Sequence, residues 1–396
     1  MTDWGLIDPG AADPTGTDDD AVLAAMVDVE RALLGVWGSV LDEFLDAQAD
    51  TLDAATLDRD VLRDGVARDG VPVVALVPAL RAQLEAAGLP TERLHLGATS
   101  QDVVDSSLML VARDALGAAR SSLVEAGRAL ATLADAHRRD ERIARSIARH
   151  GEASTLGVLA AGWLDGVTSA VEAVDALAFP VQFGGAVGTG AAADAAAGSA
   201  AGADEVRGDL ARRLGLVDPG RAWHTDRTPV LAIASGTATV VAALGRIAGD
   251  ATFLSREEVG ELRLSGAGGS SAMPHKRNPV DAVAITAAAV EAPGLLSVVA
   301  SAAVAGDERS AGRWHAEWSA SRRLIRLARS SAGAASRLVG GLAFDPDRAA
   351  AILAGAGPAG ERPDRGVLAA ASDRIVDRAV DRFTRLTRPA GSETRP

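Results

Sequence analysis

The chain has 396 residues and a formal net charge of −13, and 48% of its residues are hydrophobic but only 3% aromatic. This length is enough for two or three domains, and the many small apolar residues favour closely packed helices over sheets. The negative charge argues against nucleic acid or an anionic membrane as the main partner, and the absence of Cys excludes a disulfide framework and a thiolate metal site.

The N-terminus and the apolar stretches give no sign of export or of a membrane span. The first ten residues, MTDWGLIDPG, contain neither a basic segment nor an apolar run. The stretch 229–245 is interrupted by Ser, Thr and Gly and is short for a membrane span. We therefore expect a cytoplasmic protein without a membrane partner.

The first predicted element is a helix over 16–47. Thr17 is its predicted N-cap, because the three aspartates at 18–20 then lie in the first turn, where the helix dipole favours negative charge. Apolar residues recur at helical spacing along this segment and predict one buried face. Shorter helical patterns follow, and then a loop over 88–100.

The next pattern is helical without Pro from Gln101 to about His137, and a helix of that length spans roughly 55 Å. Further Ala-rich helical patterns follow after short connections, at about 152–178, 190–214, 228–262, 279–305 and 315–342. Long helices joined in this way predict an all-α fold around a long helix bundle, with no strand of useful length. Their excess of apolar faces predicts burial between subunits.

The composition changes after Phe344. A loop is expected over 354–366, one more helix over 367–386, and a disordered tail over 387–396. The other boundary is expected near residue 105, after the loop gives way to the long helix. The three predicted domains are therefore 1–105, 106–345 and 346–396.

The stretch GGSSAMPHKRNPVDA (268–282) contains Lys276, the only lysine in a chain whose other strongly basic residues are all arginine. A compact ammonium fits a tight pocket for one negative charge, whereas a planar guanidinium does not. On the count alone, chance retention of one lysine is an equal explanation, so the neighbouring residues must decide.

Those neighbours combine hydroxyls, an amide and a helix start. Glycines at 266, 268 and 269 allow unusual backbone angles beside Ser270 and Ser271. The expected helix start consists of Asn278 as N-cap, Pro279 at N1 and Asp281 at N3. This constellation suits a carboxylate that gains charge when a proton leaves or joins the adjacent carbon. A flexible connector with a good cap would explain the glycines and the helix start, but not the lysine and the serines.

A second candidate binding segment is HLGATSQDVVDSS (95–107). Thr99 and Ser100 begin the long predicted helix, and Asp102 lies in its first turn. Hydroxyls and free backbone N–H groups at a helix start hold a carboxylate, although ordinary N-capping explains the same residues.

Four further segments carry weaker signals. ARSIARHGEASTLG (144–157) places His150 near an expected helix start, where a lone His is more often structural than catalytic. Two segments, AWHTDR (222–227) and DERSAGRWHAEW (307–318), place Trp next to basic or imidazole side chains. Arg is suited to binding carboxylates, but a His-Trp pair can equally serve only for packing. The residues concerned are His224, Arg309, Arg313 and His315. QFGGAVGTG (182–190) lacks the preceding strand and the acidic partner of a dinucleotide loop, so we reject that interpretation.

Together these motifs resemble the fumarase/aspartase superfamily. GSSAMPHKRNP is similar to its signature loop, and GATSQD is similar to its first conserved region. Within the superfamily the resemblance is closest to the bacterial 3-carboxy-cis,cis-muconate cycloisomerases. It rests on these motifs together with MVDVERALL, QFGGA, WHT and ERSAGRWHAEW, which occur in the same order, and it covers about residues 16–345.

The resemblance implies an all-α homotetramer of three-domain chains, with active sites where three chains meet and with neither a metal nor an organic cofactor. The implied substrate is a small tricarboxylate. One carboxylate of 3-carboxymuconate adds across a conjugated double bond and closes a lactone, 4-carboxymuconolactone. This step belongs to protocatechuate breakdown through the β-ketoadipate route.

The resemblance also assigns roles by position. Ser270 transfers the proton, Lys276 and Asn278 stabilise the aci-carboxylate intermediate, and His150 contacts the substrate or assists. The implied substrate-binding residues are Thr99, Ser100, Gln101, Ser271, Met273, Arg309 and His315. A hydroxyl is a poor base in water, so Ser270 needs the charge of the loop to ionise.

The sequence departs from the superfamily pattern in two places. Ser146-Ile147 stands where many relatives have Thr-His, which fits the cycloisomerases and argues against adenylosuccinate lyase, but Ile147 and Ala148 are less bulky than usual there. The C-terminal domain is also much shorter than usual. Two alternatives are a fumarate-releasing lyase of the same superfamily and a non-catalytic scaffold, which would have no reason to keep the serine, lysine and asparagine of the loop together.

Overall fold

The computed structural model describes residues 8, 10, 14–265, 268–357 and 364–388. Gly266, residues 358–363 of the expected loop and residues 389–396 of the expected tail lie outside this part of the chain. The helices are α1 Asp19–Leu41, α2 Asp46–Thr51, α3 Arg59–Asp69, α4 Val73–Ala86, α5 Ser100–Ala136, α6 Leu156–Asp175, α7 Ala191–Ala197, α8 Gly202–Leu214, α9 Thr228–Leu254, α10 Val280–Ala302, α11 Arg313–Gly340, α12 Pro346–Gly355 and α13 Arg365–Thr387. The strands are β1 Glu141–Ser146, β2 Arg149–Thr155, β3 Leu262–Leu264 and β4 Leu342–Phe344.

The first helix begins one residue later than the expected cap would place it. Asp18, not Thr17, is the N-cap, because Asp18 Oδ1 accepts a hydrogen bond from the Ala21 N–H at 2.8 Å. The Thr17 hydroxyl instead donates to the Pro14 carbonyl at 2.9 Å. The helix ends at Leu41, so the prediction of a continuous helix to 47 was wrong.

Helix α5 forms the axis of the molecule and packs against α6 and α11, with α9 and α10 completing a five-helix bundle. Its 37 residues confirm the predicted long helix and correspond to roughly 55 Å. Leu116, Leu123 and Leu130 recur every seven residues and are fully buried. This spacing keeps them on one face, where each contributes about 1.5–3 kcal/mol by leaving water.

Other predicted helices are interrupted or shorter. The pattern over 190–214 breaks at Gly198, whose φ of 65° ends α7 before α8 begins. The pattern over 228–262 ends at Leu254. The expectation of no strands was also wrong, because four short strands form two antiparallel pairs, β1 with β2 and β3 with β4.

The β1–β2 hairpin is fixed along β1 by a buried ion cluster and by the C-terminal segment. Glu261 is fully buried and accepts hydrogen bonds from Arg142 and Arg145 of β1. Ile143 of β1 packs in a small cluster with Leu353 of α12, a helix that the sequence analysis did not predict. The shortened C-terminal segment therefore supports the hairpin.

The last helix, α13, docks closely on the bundle. A Cβ at Gly127 of α5 would lie 2.2 Å from the Phe383 ring, so only glycine allows this approach. Arg138 and Arg382 add ion pairs between α13 and the α5–α6 region. The helix predicted over 367–386 is confirmed.

Two helices, α9 and α10, are long and apolar enough to cross a membrane by length and composition alone, with mean hydropathies of 1.7 and 1.8. Helix α10 buries only part of its surface against α9 and α11. Val283, Val290 and Val298 lie on its exposed side, with 52%, 78% and 43% of their surface accessible. Helix α10 therefore carries apolar side chains that remain exposed within one chain.

The domain boundaries expected near 105 and at 345 lie inside α5 and at the N-cap of α12. The division into three domains stays a prediction.

Candidate active site

The start of α5 brings two of the expected substrate-binding residues together. Thr99 is the N-cap, as predicted, and its hydroxyl accepts a hydrogen bond from Arg309 Nη2 at 2.6 Å. The same nitrogen donates to the Ala186 carbonyl at 3.1 Å. Ser100 follows in the first turn and is half-buried. A guanidinium beside a hydroxyl and a helix N-terminus makes this end of the molecule suitable for a carboxylate.

Asp102 holds this end together. One carboxylate oxygen accepts from the Gly184 N–H at 3.0 Å and lies 3.0 Å from His224 Nε2, while the other accepts from the Gly185 N–H at 2.9 Å and the Thr99 N–H at 3.0 Å. The aspartate is almost fully buried. It therefore ties the segment that begins α5 to the loop 181–190 and to the segment before α9.

A second buried layer is centred on Asp105, one turn after Asp102 in α5. Gln101, fully buried, donates to the His224 carbonyl at 2.7 Å and to Asp105 at 3.2 Å. Arg227 donates to both oxygens of Asp105, at 2.8 and 3.1 Å, and also pairs with Glu317. The position of Gln101 beneath the helix start indicates support of the site rather than direct contact with a ligand.

The charges in this layer are unbalanced, because Arg227 faces two carboxylates. Burial raises the pKa of Glu317 to about 6, since attraction to Arg227 offsets it only in part and Asp105 adds repulsion. Burial opposes the charge of Arg227, but the two carboxylates outweigh it and raise the pKa of Arg227 above its ordinary value. The arginine is thus firmly charged.

His315 lies apart from this layer, in an aromatic cluster. Its ring centroid is 5.2 Å from that of Trp314 and 4.8 Å from that of Trp318. Trp314 donates its indole N–H to Asp105 at 3.0 Å. The packing-corner interpretation therefore describes the contacts of His315 within one chain.

The loop 268–279 is closed by its own backbone. Gly268 and Asn278 exchange backbone hydrogen bonds at 2.9 and 2.8 Å, and the Asn278 side chain donates to the Gly269 carbonyl at 2.9 Å. Asn278 is therefore not the N-cap that the sequence predicted. Helix α10 begins at Val280 with Pro279 as N-cap and no side-chain cap, because closing the loop engages the amide.

The Ser270 hydroxyl is held inside this loop. Its Oγ accepts hydrogen bonds from the backbone N–H groups of Met273 at 3.1 Å and Ala272 at 3.4 Å. Two donors on one oxygen favour a negatively charged form of that oxygen. Ser271, Met273 and Lys276 are exposed.

His150 is not at a helix start. It lies in β2, paired with Arg145 of β1, and its side chain is exposed near the tip of the hairpin. The helix begins later, at Leu156, where Thr155 caps it through a hydrogen bond from the Val158 N–H at 3.0 Å.

The expected site residues thus occupy different ends of one chain. Helix α11 extends from Trp314, bonded to Asp105, to Arg337, which donates to Asp281 at the start of α10 at 2.7 Å. Its rise over this stretch is roughly 35 Å. The loop and the segment that begins α5 are therefore separated by much more than the size of a small carboxylate, and the hairpin lies beyond the far end of α5.

The sequence of this chain is similar to those of known enzymes. A model of the lyase family matches residues 68–294. A nitrosuccinate lyase of Streptomyces davaonensis is 38% identical over 373 residues, which cover 89% of this chain and 77% of that protein. The chain belongs to this lyase family, within the fumarase/aspartase superfamily.

Two cycloisomerase relatives extend the likeness. A 3-carboxy-cis,cis-muconate cycloisomerase of Pseudomonas aeruginosa is 39% identical to the present chain over 282 residues. The match covers 69% of the present chain and 60% of the cycloisomerase. The solved 3-carboxy-cis,cis-muconate lactonizing enzyme of Pseudomonas putida matches with a TM-score of 0.81 and 31% identity, covering 96% of this chain and 90% of that one. The predicted superfamily, all-α fold class and enzymatic nature are therefore confirmed.

Much of the buried polar structure of this chain was not predicted from its sequence. His95, just before α5, lies 2.6 Å through Nδ1 from the fully buried carboxylate of Glu30. Burial alone would lower the pKa of His95, but the hydrogen bond and charge of Glu30 raise it above its ordinary value. One signal was present: Asp102 and Asp105 stand three residues apart on the otherwise buried side of a helix.

Replacing Asp102 with Asn should loosen the packing around the start of α5. An amide would turn an NH₂ group toward backbone donors, and losing hydrogen bonds to a buried charge costs about 1.5–3 kcal/mol. We expect a lower urea midpoint and a higher KM, because Thr99 and its neighbours lose their common anchor. Asp114→Asn, on the exposed side of α5, is the matched control. Equal midpoints for the two variants would contradict the assigned role.

Proposed function

We propose that this lyase is a 3-carboxy-cis,cis-muconate cycloisomerase that closes 4-carboxymuconolactone. The observation that carries the proposal is the structural likeness to the muconate lactonizing enzyme, which extends over 96% of the chain. The chemistry of the loop 268–279 is consistent with it, because an ammonium and a hydroxyl held by backbone donors suit a substrate that becomes more anionic during reaction.

The reaction joins two parts of one molecule and takes up one proton. One carboxylate oxygen of the substrate bonds to a carbon of the conjugated diene, and the π electrons move toward the carbon beside another carboxylate. That carboxylate becomes an aci-carboxylate, and a proton then joins the carbon. Holding both reacting ends of one molecule accelerates such a closure, because the step is already unimolecular and depends on orientation.

Lys276 and Ser270 have distinct roles in the proposal. Lys276 supplies a compact positive charge for the aci-carboxylate, whereas Ser270 delivers the proton to carbon and is left as an alkoxide, which takes up a proton from solvent before the next turnover. The N–H groups of Ala272 and Met273 point at the Ser270 oxygen and would stabilise that charge. Asn278 keeps the loop closed through Gly269 and so holds these groups in place.

The site is proposed to form between copies of the chain in a homotetramer. The separation of the loop, the start of α5 and the hairpin within one chain supports this, because a small tricarboxylate cannot reach all three. The exposed valines of α10 supply an apolar face for assembly. Thr99, Ser100 and Arg309 of one copy would bind a carboxylate presented to the loop of another.

A second candidate function is elimination from a succinate-type substrate. The likeness to a nitrosuccinate lyase over 89% of the chain favours it. In that reaction a proton leaves the carbon next to a carboxylate, the bond between the neighbouring carbon and nitrogen breaks, and fumarate and nitrite form. The same loop would stabilise the same type of intermediate.

The test is to supply purified protein with each substrate separately. For 3-carboxy-cis,cis-muconate the readout is loss of the ultraviolet absorbance of the diene; for nitrosuccinate it is nitrite and fumarate. We expect the diene to be consumed, and we expect Ser270→Ala to lower kcat by about 100-fold or more. Ser265→Ala, a hydroxyl just outside the loop, is the control.

The outcomes separate the candidates. Nitrite release without loss of the diene would overturn the cycloisomerase proposal in favour of elimination. Release of fumarate from adenylosuccinate would also overturn the cycloisomerase proposal. It would favour an adenylosuccinate lyase, although the Ser146-Ile147 pair argues against that enzyme. If Ser270→Ala consumed the diene at the wild-type rate, the proposed reaction would stand, but the proposed role of Ser270 in proton transfer would be wrong.

A further inference from the structure

A cavity of about 240 Å³ lies between three helices of the bundle, α5, α10 and α11, and is called the bundle cavity below. It is much larger than the space of one water molecule, which is about 30 Å³ in the liquid. No carboxylate lines it among the described residues. The polar side chains that line it there are Arg329, Arg337, Ser122, Ser330 and Ser331. The cavity wall is therefore rich in hydrogen-bond donors.

Ser331 contributes a buried hydroxyl to this wall. The residue is 2% exposed, and its Oγ has no hydrogen-bond partner in the part of the chain that the structure describes. The same holds for the Oγ of the half-buried Ser330 beside it. Buried polar groups are normally paired, because an unpaired one lowers the stability of the folded state. Two such hydroxyls on one cavity wall favour a polar ligand in the cavity.

A hydroxyl inside a helix has an ordinary alternative, which is to donate to the backbone carbonyl four residues earlier. The hydroxyl of Thr237 in α9 donates in this way at 2.6 Å, and that of Thr286 in α10 does so at 2.8 Å. Ser330 and Ser331 of α11 do not make this bond. Their hydroxyls are therefore available to a ligand in the cavity that they line.

Arg337 connects the bundle cavity with the start of α10. Its Nε and Nη2 donate to Asp281 Oδ1 at 3.2 and 2.7 Å. Its Nη1 lies near Gly333, which lines the cavity, since a Cβ at Gly333 would be 3.7 Å from that nitrogen. A guanidinium holds five N–H donors in a fixed fork. One arginine can therefore bind Asp281 and a second acceptor in the cavity at the same time.

These donors define the chemical class of the ligand. A planar guanidinium matches the paired oxygens of a carboxylate or a phosphate, and serine hydroxyls donate to the same oxygens. Arg329 and Arg337 are eight residues apart on α11, so their backbone positions differ by roughly 12 Å along the helix axis. Two arginine side chains at this spacing can reach one small anion that carries more than one negative charge.

We infer that the bundle cavity binds a small multivalent oxyanion, inorganic phosphate or a dicarboxylate, between Arg337 and the serines of α11. An anion on Nη1 fixes the guanidinium of Arg337 and thereby Asp281, in the first turn of α10. Since α10 begins directly after the loop 268–279, occupation of the cavity steadies that loop. The inference goes beyond the proposed function and does not depend on it.

The test is calorimetric titration of the full-length Lys276→Ala protein with sodium phosphate and, separately, with sodium succinate, at constant ionic strength. This background removes the positive charge with which the loop would itself hold an anion. We expect at least one of the two anions to bind, with one site per chain. Binding of phosphate alone would identify a tetrahedral oxyanion, and binding of succinate alone a dicarboxylate. No binding of either anion up to millimolar concentrations would overturn the inference.

Two substitutions in the same background place the bound anion. Arg337→Gln removes the charge but keeps an extended polar side chain, and it should weaken binding by about tenfold or more. Ser331→Ala should weaken binding by roughly two- to tenfold. Without anion, the melting temperature of Ser331→Ala should equal or exceed that of its parent, because an unpaired buried hydroxyl is removed and alanine favours the helix. A folding defect therefore cannot account for its weaker binding.

The same helix supplies the matched controls. Arg322→Gln removes an arginine that pairs with Asp19, and Ser336→Ala removes a hydroxyl that bonds to Glu125 at 3.2 Å. Neither Arg322 nor Ser336 lines the bundle cavity, so both variants should bind the anion as their parent does. If the cavity variants also bound it with the parent Kd, the anion would lie elsewhere and the inference would be wrong.

Hydrogen exchange measures the coupling between the cavity and the loop. In the wild-type protein, the anion that binds should slow exchange of the backbone amides over 268–285, because the start of α10 is held more firmly. Arg337→Gln at a saturating concentration of the anion should lack this effect, since it has no guanidinium to bridge the anion and Asp281. Equal slowing in both proteins would overturn the coupling through Arg337.

Discussion

Replacing Lys276 with arginine should lower kcat by about 100-fold while the melting temperature stays at the wild-type value. The charge is retained, but a planar guanidinium is broader than an ammonium and would displace the developing dianion from the serine. Lys276 is exposed on the loop, and its contact in the chain is a backbone hydrogen bond from its N–H to the Met273 carbonyl at 3.0 Å. Stability should therefore be unaffected by the side chain.

The neighbouring residue supplies the control. Arg277→Lys makes the reverse exchange at the next position of the same exposed loop and should turn over substrate close to the wild-type rate. Both variants are checked by measuring kcat and KM with the substrate, 3-carboxy-cis,cis-muconate or nitrosuccinate, that the wild-type protein consumes. Near-normal turnover by Lys276→Arg would show that charge alone suffices and that chance explains the single lysine.

Replacing Arg227 with leucine should destabilise the folded protein by about 3–5 kcal/mol, the largest stability effect expected in this chain. The arginine is 2% exposed and stands between Asp105 and Glu317, so its loss leaves two buried carboxylates facing each other. Thermal and urea unfolding measure the change. Arg221→Leu breaks the exposed pair with Asp226 and a hydrogen bond to the Ala222 carbonyl, and it should cost less than about 1 kcal/mol.

Glu317→Gln tests the same cluster in the opposite direction. The pKa of Glu317 is raised to about 6 in the folded protein, above the ordinary value of 4.5. Between these values the folded state binds more protons than the unfolded state, so this group lowers stability as pH rises from about 4.5 to about 6. In the glutamine variant the free energy of unfolding should no longer fall between about pH 4.5 and about pH 6, so the variant should be at least as stable as the wild type at neutral pH. A variant as unstable as Arg227→Leu would contradict the charge imbalance.

The sequence specified the helices better than the contacts between them. Helix α5 was predictable because its period is uninterrupted and Thr99 begins it. The hairpin was not, because its strands are short, rich in charge and joined by Ile-Ala rather than by residues that mark a turn. At Asn278 the local rules predicted a cap, but a tertiary bond to Gly269 prevailed.

The chemistry divides in the same way. The loop and the start of α5 could be recognised because each is continuous in the sequence. The cluster of Asp105, Arg227 and Glu317 could not, because folding brings together residues about a hundred positions apart. No local pattern records which distant charge will face which, so an unbalanced buried cluster becomes visible only in three dimensions.

The length of α5 has a consequence for rate laws. On the proposed arrangement, a single chain carries pieces of several sites and a complete copy of none. Turnover per chain is then governed by mass action: on dilution, dissociating assemblies lose whole sites at once, and specific activity depends on total protein concentration. The quaternary equilibrium constant thus becomes a kinetic parameter of the enzyme.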